Sequence, residues 1–177
     1  MLKKILLVIA LLIVGLLAFA ATRPDSYEVS RSIHVAAAPA DVHALVNDFH
    51  NFPRWSPWQK LDPGMQTTFS GPASGVGAAY AWQGNKDVGK GRMAIIESTA
   101  PSKVGMDLEF IEPFASKART DIDIAPADNG SRVSWSMRGN NNYMAKLMSV
   151  FMSMDAMIGK DFEEGLANLK RLAETGK

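Results

Sequence analysis

The sequence predicts an α+β fold in which a curved antiparallel sheet of about six to seven strands wraps around a long C-terminal helix. Near the C-terminus, apolar residues recur every three or four positions from Leu147 to Leu172, which is the stripe of one amphipathic helix. In the middle of the chain, apolar and polar residues alternate, as in strands with one covered face. An uncharged apolar segment precedes both patterns and predicts an N-terminal transmembrane helix.

Composition and charge exclude several classes of function. The 177 residues are enough for one domain with a sizeable core and a short appendage. Without residues 1–22, which contain Lys3 and Lys4, the chain has 17 basic and 18 acidic residues and a net charge of −1. No basic stripe supports nucleic-acid binding. The chain contains no cysteine, which excludes disulfides, thiol catalysis and thiolate metal sites.

Residues 1–22 are predicted to form a transmembrane anchor or a signal segment. The apolar run of residues 5–21 spans about 26 Å as a helix, slightly less than the roughly 30 Å hydrocarbon core of a bilayer. The two preceding lysines keep the N-terminus in the cytoplasm, so the rest of the chain is exported. An uncleaved segment would hold the domain on the periplasmic or outer side of a bacterial-type inner membrane. Cleavage near Ala18 and Ala20 would instead leave an exported soluble protein.

Residues 23–26 are predicted to be a linker, and residues 27–175 the folded domain. Residues 27–35 alternate as a first strand. Pro39 is predicted to be the first residue of a helix, and an apolar face continues to about Asp48. Residues 49–58 are dense in aromatic residues and prolines, which predicts a second short helix and then a loop.

Strands with intervening turns are predicted from there to the C-terminal helix. The alternating segments are residues 65–69, 78–82, 92–98, 104–111, 118–124 and 133–137. Asp128-Asn129-Gly130 is a hairpin signal. A polar turn at residues 139–142 then precedes a helix that is predicted to run almost unbroken from Asn140 to Glu174. The first half of this helix holds one carboxylate, Asp155, among five methionines: Met144, Met148, Met152, Met154 and Met157.

Several short sequence segments resemble those of the START-like, polyketide-cyclase/dehydrase and lipid-transport superfamily (SRPBCC). They are APADV at 38–42, FHNFPRWSPW at 49–58, GVGA at 75–78, VGKGRM at 88–93, GSRVSW at 130–135 and GKDFEEGLANL at 159–169. The resemblance covers about residues 27–173 and implies the fold called helix-grip. The superfamily contains cyclases, lipid carriers and hormone receptors, so the fold does not fix the function.

The resemblance implies a cavity between the sheet and the helix for a small hydrophobic ligand of lipid-, polyketide- or isoprenoid-like chemistry. We expect a volume of roughly 300–1,000 Å³. The predicted lining comes from the strand faces, the aromatic loop and the helix: Trp55, Trp58, Trp82, Met93, Ile95, Met106, Leu108, Phe110, Thr120, Trp135, Met137, Met148, Met152 and Asp155. Alternatively, the helix methionines are flexible core filler, and Trp55 and Trp58 only wedge the loop onto the sheet.

A second hypothesis is an enzyme of the cyclase or dehydratase type, which needs an acid or base in the cavity. The candidates are Asp155, Tyr80 and Tyr143. If Asp155 points into the cavity or its mouth, its pKa is raised unless a cation pairs with it, and Arg92 is the expected cation. Alternatively, Asp155 is exposed or caps the helix. In a third hypothesis the domain is a partner-binding module, in which the aromatic loop and the Asn140–Tyr143 turn face another protein.

The motifs of metal and cofactor chemistry are missing from the sequence. His34, His43 and His50 are the three histidines, and none belongs to an HxH or HExxH pattern. There is no GxSxG motif and no P-loop. We therefore predict no metal and no cofactor.

Overall fold

The chain folds into a seven-stranded sheet that holds a C-terminal helix, and the computed structural model describes residues 1–176. The first elements are α1 (Leu2–Ala21), β1 (Ser26–Val35), α2 (Pro39–Val46) and α3 (Phe52–Trp55), with 3₁₀ turns at Phe49–Asn51 and Pro57–Lys60. Six strands follow: β2 (Gln66–Ser70), β3 (Ala79–Gln83), β4 (Lys90–Thr99), β5 (Lys103–Glu112), β6 (Ser116–Ala127) and β7 (Gly130–Asn140). The last elements are α4 (Tyr143–Met148) and α5 (Met154–Thr175).

The sheet is antiparallel throughout, in the order β1-β7-β6-β5-β4-β3-β2. Strands β2 to β7 pair with their neighbours in the chain, and β1 forms the edge beside β7. Helix α5 lies on the inner face, mainly over β1, with α3 beside it. The hairpin signal is confirmed, since Asn129 adopts the left-handed conformation with φ 57° between β6 and β7. This arrangement confirms the predicted helix-grip fold.

The helix fits closely against the sheet because glycine faces a tryptophan. A Cβ atom on Gly165 of α5 would lie 2.7 Å from the Trp135 ring of β7. The glycine therefore lets the helix backbone approach the aromatic side chain. Phe162, Leu166, Leu169 and Leu172 carry the buried stripe of α5.

The two ends of the sheet differ in packing. We call the end of the sheet next to α1 the α1 end. Three pairs of strand residues lie there: Ser26 with Asn140, Phe110 with Ser116, and Lys90 with Glu112. At the opposite far end, Val104 and Val133 are completely buried. Along β5 the burial falls from Val104 to the half-buried Phe110. The core is thus closed at the far end and open towards the α1 end.

The C-terminal helix is broken, which corrects the prediction of one almost continuous helix from Asn140. Asn142 caps α4 by accepting a hydrogen bond from the Ala145 N–H at 2.8 Å. Ser153 caps α5 in the same way, from the Ala156 N–H at 3.1 Å. Two caps in this short stretch define two helices and a five-residue loop, 149–153.

Candidate ligand pocket beneath the C-terminal helix

An apolar cavity of about 180 Å³ lies between the inner face of the sheet and α5. It is smaller than the predicted 300–1,000 Å³, because large aromatic side chains occupy much of the space under the helix. Its walls come from the aromatic segment after α2, from the strands and from α5: Phe52, Trp55, Ser56, Trp58, Met65, Tyr80, Trp82, Asp87, Val88, Met93, Met106, Leu108, Phe110, Thr120, Trp135, Met137, Ile158 and Phe162. We call this cavity the inner pocket.

Trp135 organises one wall of the inner pocket. Its ring stacks on Phe162 with centroids 4.1 Å apart and an interplanar angle of 9°. Trp55 meets it edge-on at 5.3 Å, and Trp58 at 5.9 Å. The indole N–H of Trp135 donates to the Thr120 hydroxyl at 2.8 Å, which satisfies both polar groups inside the apolar wall.

Two other residues of the walls, Trp55 and Tyr80, carry hydrogen-bond donors. The buried indole N–H of Trp55 has no hydrogen-bond partner among residues 1–176. Tyr80 is 2% exposed, and burial raises its pKa to about 12. Its phenol is therefore protonated at neutral pH and can donate a hydrogen bond. A ligand oxygen that reached either group could accept a hydrogen bond from it.

Most of the predicted lining residues meet in the inner pocket, as their placement on inner strand faces requires. These are Trp55, Trp58, Trp82, Met93, Met106, Leu108, Phe110, Thr120, Trp135 and Met137, and Tyr80 joins them. Ile95 is buried in the core instead. Binding by these residues remains a prediction. Met65, Val88, Ile158 and Phe162 also line the pocket and were not predicted there, although Ile158 and Phe162 lie on the apolar stripe of the C-terminal helix.

Asp155 does not lie at the inner pocket, which corrects the predicted position. Its carboxylate accepts two hydrogen bonds from Arg31 of β1, Nη1–Oδ1 at 2.7 Å and Nη2–Oδ2 at 3.0 Å. The hydrogen bond from Arg31 lowers the pKa of Asp155 instead of raising it. Arg31 Nε also donates to Glu163 at 2.7 Å. The expected cation, Arg92, instead pairs with Glu109 at 2.6 Å on the outer face.

Met148 and Met152 also lie outside the inner pocket, which corrects their predicted place in its lining. Both side chains are more than half exposed on α4 and the loop 149–153. Tyr143 is also distant from the pocket, since its hydroxyl donates to the Leu17 carbonyl of α1 at 2.9 Å. The break between α4 and α5 explains all three placements, because it carries the first part of the predicted helix away from the sheet.

A larger, open depression of about 950 Å³ crosses the outer face of the sheet. Most of its charged side chains form ion pairs. Arg119 and Arg138 contact the buried Asp121 at 2.9 and 2.7 Å, and the hydrogen bond from Arg92 lowers the pKa of Glu109. Because these charges are compensated, this face is better explained as a solvated ion-pair network than as a ligand site. Within residues 1–176, no group of three or more His, Asp or Glu side chains is placed to hold a metal ion.

Several solved structures share this fold. Protein CV1439 from Chromobacterium violaceum is 16% identical with a TM-score of 0.58, and the match covers 85% of this chain and 99% of that one. The Aha1 dimer from Colwellia psychrerythraea is 15% identical with a TM-score of 0.60, over 85% and 98% of the two chains. At these identities the similarity shows the fold alone.

The di-domain ARO/CYC BexL from the BE-7585A biosynthetic pathway is a third structural neighbour. It is 11% identical with a TM-score of 0.60, and the match covers 89% of this chain and 53% of that one. No curated protein matches the chain significantly. The family model described as polyketide cyclase / dehydrase and lipid transport matches residues 26–174, from the start of β1 almost to the end of α5. Because that match spans the whole sheet and the helix it holds, the chain belongs to the polyketide cyclase / dehydrase and lipid transport family.

Proposed function

We propose that this protein is a membrane-anchored binding domain for a small hydrophobic ligand, lipid-, polyketide- or isoprenoid-like, which it holds in the inner pocket. The observation that carries the proposal is the composition of the pocket walls. They combine methionine, leucine and aromatic side chains with two residues that carry hydrogen-bond donors, Trp55 and Tyr80. Concave apolar sites with a few placed polar groups are typical of small-molecule binding.

The size of the inner pocket limits what enters it. An apolar protein cavity of roughly 150 Å³ can hold one benzene ring, and the inner pocket measures about 180 Å³. It therefore accommodates one end of a larger molecule, such as a ring or a short length of chain. The remainder of a lipid or polyketide would extend from the open side of the pocket, where Phe110 and Ile158 are only partly buried.

Helix α1 supports the anchor in this proposal. The helix Leu2–Ala21 is long and apolar enough to cross a membrane, with a mean hydropathy of 2.8, and it is almost entirely exposed. Its last turn is nevertheless part of the folded structure, since Ala20 is completely buried and α1 packs on α4. Arg23, in the linker, donates from Nε to the Ser149 hydroxyl at 3.3 Å. Cleavage after Ala20 would remove one side of this interface.

A cyclase or dehydratase activity is the second candidate, and Tyr80 is the observation that favours it. Its protonated phenol lines the pocket and can act as a general acid. The carboxylate at the pocket, Asp87, pairs with Lys86 at 2.7 Å and is more than half exposed. The walls thus offer an acid but no desolvated base, and the binding function therefore fits them better. Loss of turnover in Tyr80→Phe with unchanged ligand affinity would favour the enzyme.

The binding function is tested by titrating the full chain with a small aromatic alcohol. All four tryptophans of the protein line the inner pocket, so intrinsic fluorescence reports directly on its occupancy. We expect 2-naphthol to quench this fluorescence saturably when the chain is held in lipid nanodiscs, with empty nanodiscs as the blank. Quenching that rises linearly without saturation would contradict the proposal.

Phe110 and Val76 provide a pair of variants for this titration. Phe110 lines the pocket, whereas Val76 is 60% exposed in the β2–β3 connection at the far end of the sheet. Phe110→Ala removes part of the wall and should weaken binding by about tenfold, or about 1.4 kcal/mol. Val76→Ala should leave the affinity unchanged. Equal effects of the two substitutions would show that the probe binds elsewhere.

A further inference from the structure

The α1 end of the domain exposes a group of large apolar side chains that the fold leaves uncovered. They are Phe114 in the β5–β6 connection, and Tyr143, Met144, Met148, Phe151 and Met152 in α4 and the loop that follows it. We call this group the apolar rim. Phe151 is 73% exposed, and both Met144 and Met148 exceed half. Exposed apolar patches of this kind mark interaction surfaces.

The apolar rim is joined directly to the last turns of α1. The Tyr143 hydroxyl donates to the Leu17 carbonyl, four residues before the end of that helix. Lys146 of α4 forms an ion pair with Asp25, and the Asn141 side chain donates to the Pro24 carbonyl at 3.1 Å. Four residues correspond to about 6 Å along a helix. With α1 in a bilayer, α4 therefore lies level with the membrane boundary.

The mouth of the inner pocket opens at the same end of the domain. Phe110 lies just before the β5–β6 connection that carries Phe114, and Val88 belongs to the β3–β4 turn at the same edge. Ile158 lies in the second turn of α5, and α5 begins directly after the exposed loop. The far end of the core is closed by completely buried side chains such as Val104. Hence the open end of the pocket and the apolar rim face the same way.

We propose that the apolar rim lies in the headgroup–acyl boundary of the membrane that holds α1, so that the inner pocket receives its ligand from the lipid phase. Apolar faces that dock on membranes are buried roughly 5–10 Å into this boundary. A pocket that holds only one end of a ligand fits this geometry, since the remainder can stay among the acyl chains. This inference rests on the proposed membrane anchor and names the source of the ligand.

The test uses the full chain and its lack of cysteine, which allows a single reactive residue to be introduced. Phe151→Cys is labelled with the fluorophore NBD and reconstituted in phosphatidylcholine vesicles. Val76→Cys is the matched control, because Val76 is also an exposed apolar residue but lies in the β2–β3 connection at the far end. Met144→Cys provides a second position in the rim in case the loop variant does not fold.

We expect NBD at Phe151→Cys to lose most of its emission to lipid that carries a nitroxide high on the acyl chain. It should be protected from aqueous iodide, whereas the Val76→Cys probe should show the reverse. Iodide quenching of both positions would overturn the proposal. Protection of Phe151→Cys from iodide without quenching by the lipid would also overturn it, because a protein would then cover the rim. These probes report lipid contact whether or not the pocket binds 2-naphthol, so the two proposals fail separately.

Discussion

At the scale of single residues, one arginine joins the edge strand to the helix. Arg31 of β1 lies against Gly159 of α5, where a Cβ atom would come within 2.2 Å of its Nη2. From there it reaches Asp155 on one side and Glu163 on the other. Hydrogen bonds to these carboxylates raise the pKa of Arg31, led by the bond to Asp155. Asp155 therefore links α5 to the edge strand and lies outside the lining of the inner pocket.

Asp155→Asn should slightly lower the free energy of unfolding at neutral pH and leave 2-naphthol affinity unchanged. The pKa of Asp155 is lowered by folding, so its contribution is present above the ordinary value of 3.8 and is lost as the pH falls through the folded value. The difference between variant and wild type should therefore disappear in acid. Urea unfolding from neutral to strongly acidic pH measures it, with the exposed Asp123→Asn as control. A large loss of affinity in Asp155→Asn would contradict this role.

Tyr80 should make stability depend on pH in the alkaline range, where stability falls as the pH rises. Folding raises its pKa from 10.0 to about 12, so the unfolded chain ionises first and stability falls as the pH rises above 10.0. At roughly 1.4 kcal/mol for each pH unit of difference, wild type should lose up to about 3 kcal/mol more than Tyr80→Phe by pH 12. Denaturant unfolding of both proteins at several alkaline pH values checks it. If the exposed Tyr143→Phe removed as much of the alkaline loss as Tyr80→Phe, the assignment to Tyr80 would be wrong.

The strand residues of the pocket were predictable, whereas the surroundings of Asp155 were not. Period-two alternation alone puts Met106, Leu108 and Phe110 on one face, and a covered sheet can direct that face only inward. Asp155 was predicted at the pocket because its neighbours in the sequence are apolar. Its real partner, Arg31, is 124 positions away and lies on the inner side of an edge strand. Sequence spacing within the helix carries no information about such a partner.

At the scale of elements, the stack of Phe162 on Trp135 fixes α5 on the sheet. Phe162→Ala removes a completely packed ring and should cost about 3–5 kcal/mol of unfolding free energy. Met157→Ala, on the exposed face of the same helix, should change stability by less than about 0.5 kcal/mol. Chemical denaturation of the two variants measures both. Similar costs for the two would mean that the aromatic stack does not hold the helix.

The break before α5 had a local signal in the sequence. Ser153 stands two residues before Asp155, and a serine followed by an acidic residue in the first turn is a helix start. The apolar stripe nevertheless continues through residues 147–151 at helical spacing, which hid the break. A continuous stripe would have placed Met148 and Met152 over the sheet. The caps instead turn α4 towards α1, where its methionines remain exposed.

At the scale of the whole molecule, the interface of α1 with α4 predicts that the N-terminal segment is retained. N-terminal sequencing of the chain purified from its own membrane should begin at Met1. The physical reason is that Ala20 and the Leu17 carbonyl belong to contacts with the folded domain. A mature chain that begins at Ala21 would contradict the anchor and would remove the membrane from the proposed path of the ligand.

The seven strands and the helix they hold were predictable from patterns of period two and 3.6 and from the family resemblance. The size of the inner pocket was not, because the stacking of Trp135 on Phe162 and the edge-on packing of Trp55 decide how much space remains. Volume depends on the relative positions of side chains from three distant segments. Such contacts are a property of the assembled core.

Native mass spectrometry of the full chain shows whether the inner pocket carries a hydrophobic ligand. The protein is extracted from its own membrane into nanodiscs and released from them in the gas phase. Trp135→Ala and the outer-face variant Arg92→Ala are treated in the same way. We expect a single retained amphiphile on wild type and on Arg92→Ala, and its loss from Trp135→Ala. Wild-type protein that appears only at its bare mass, or an adduct that all three proteins retain equally, would contradict it.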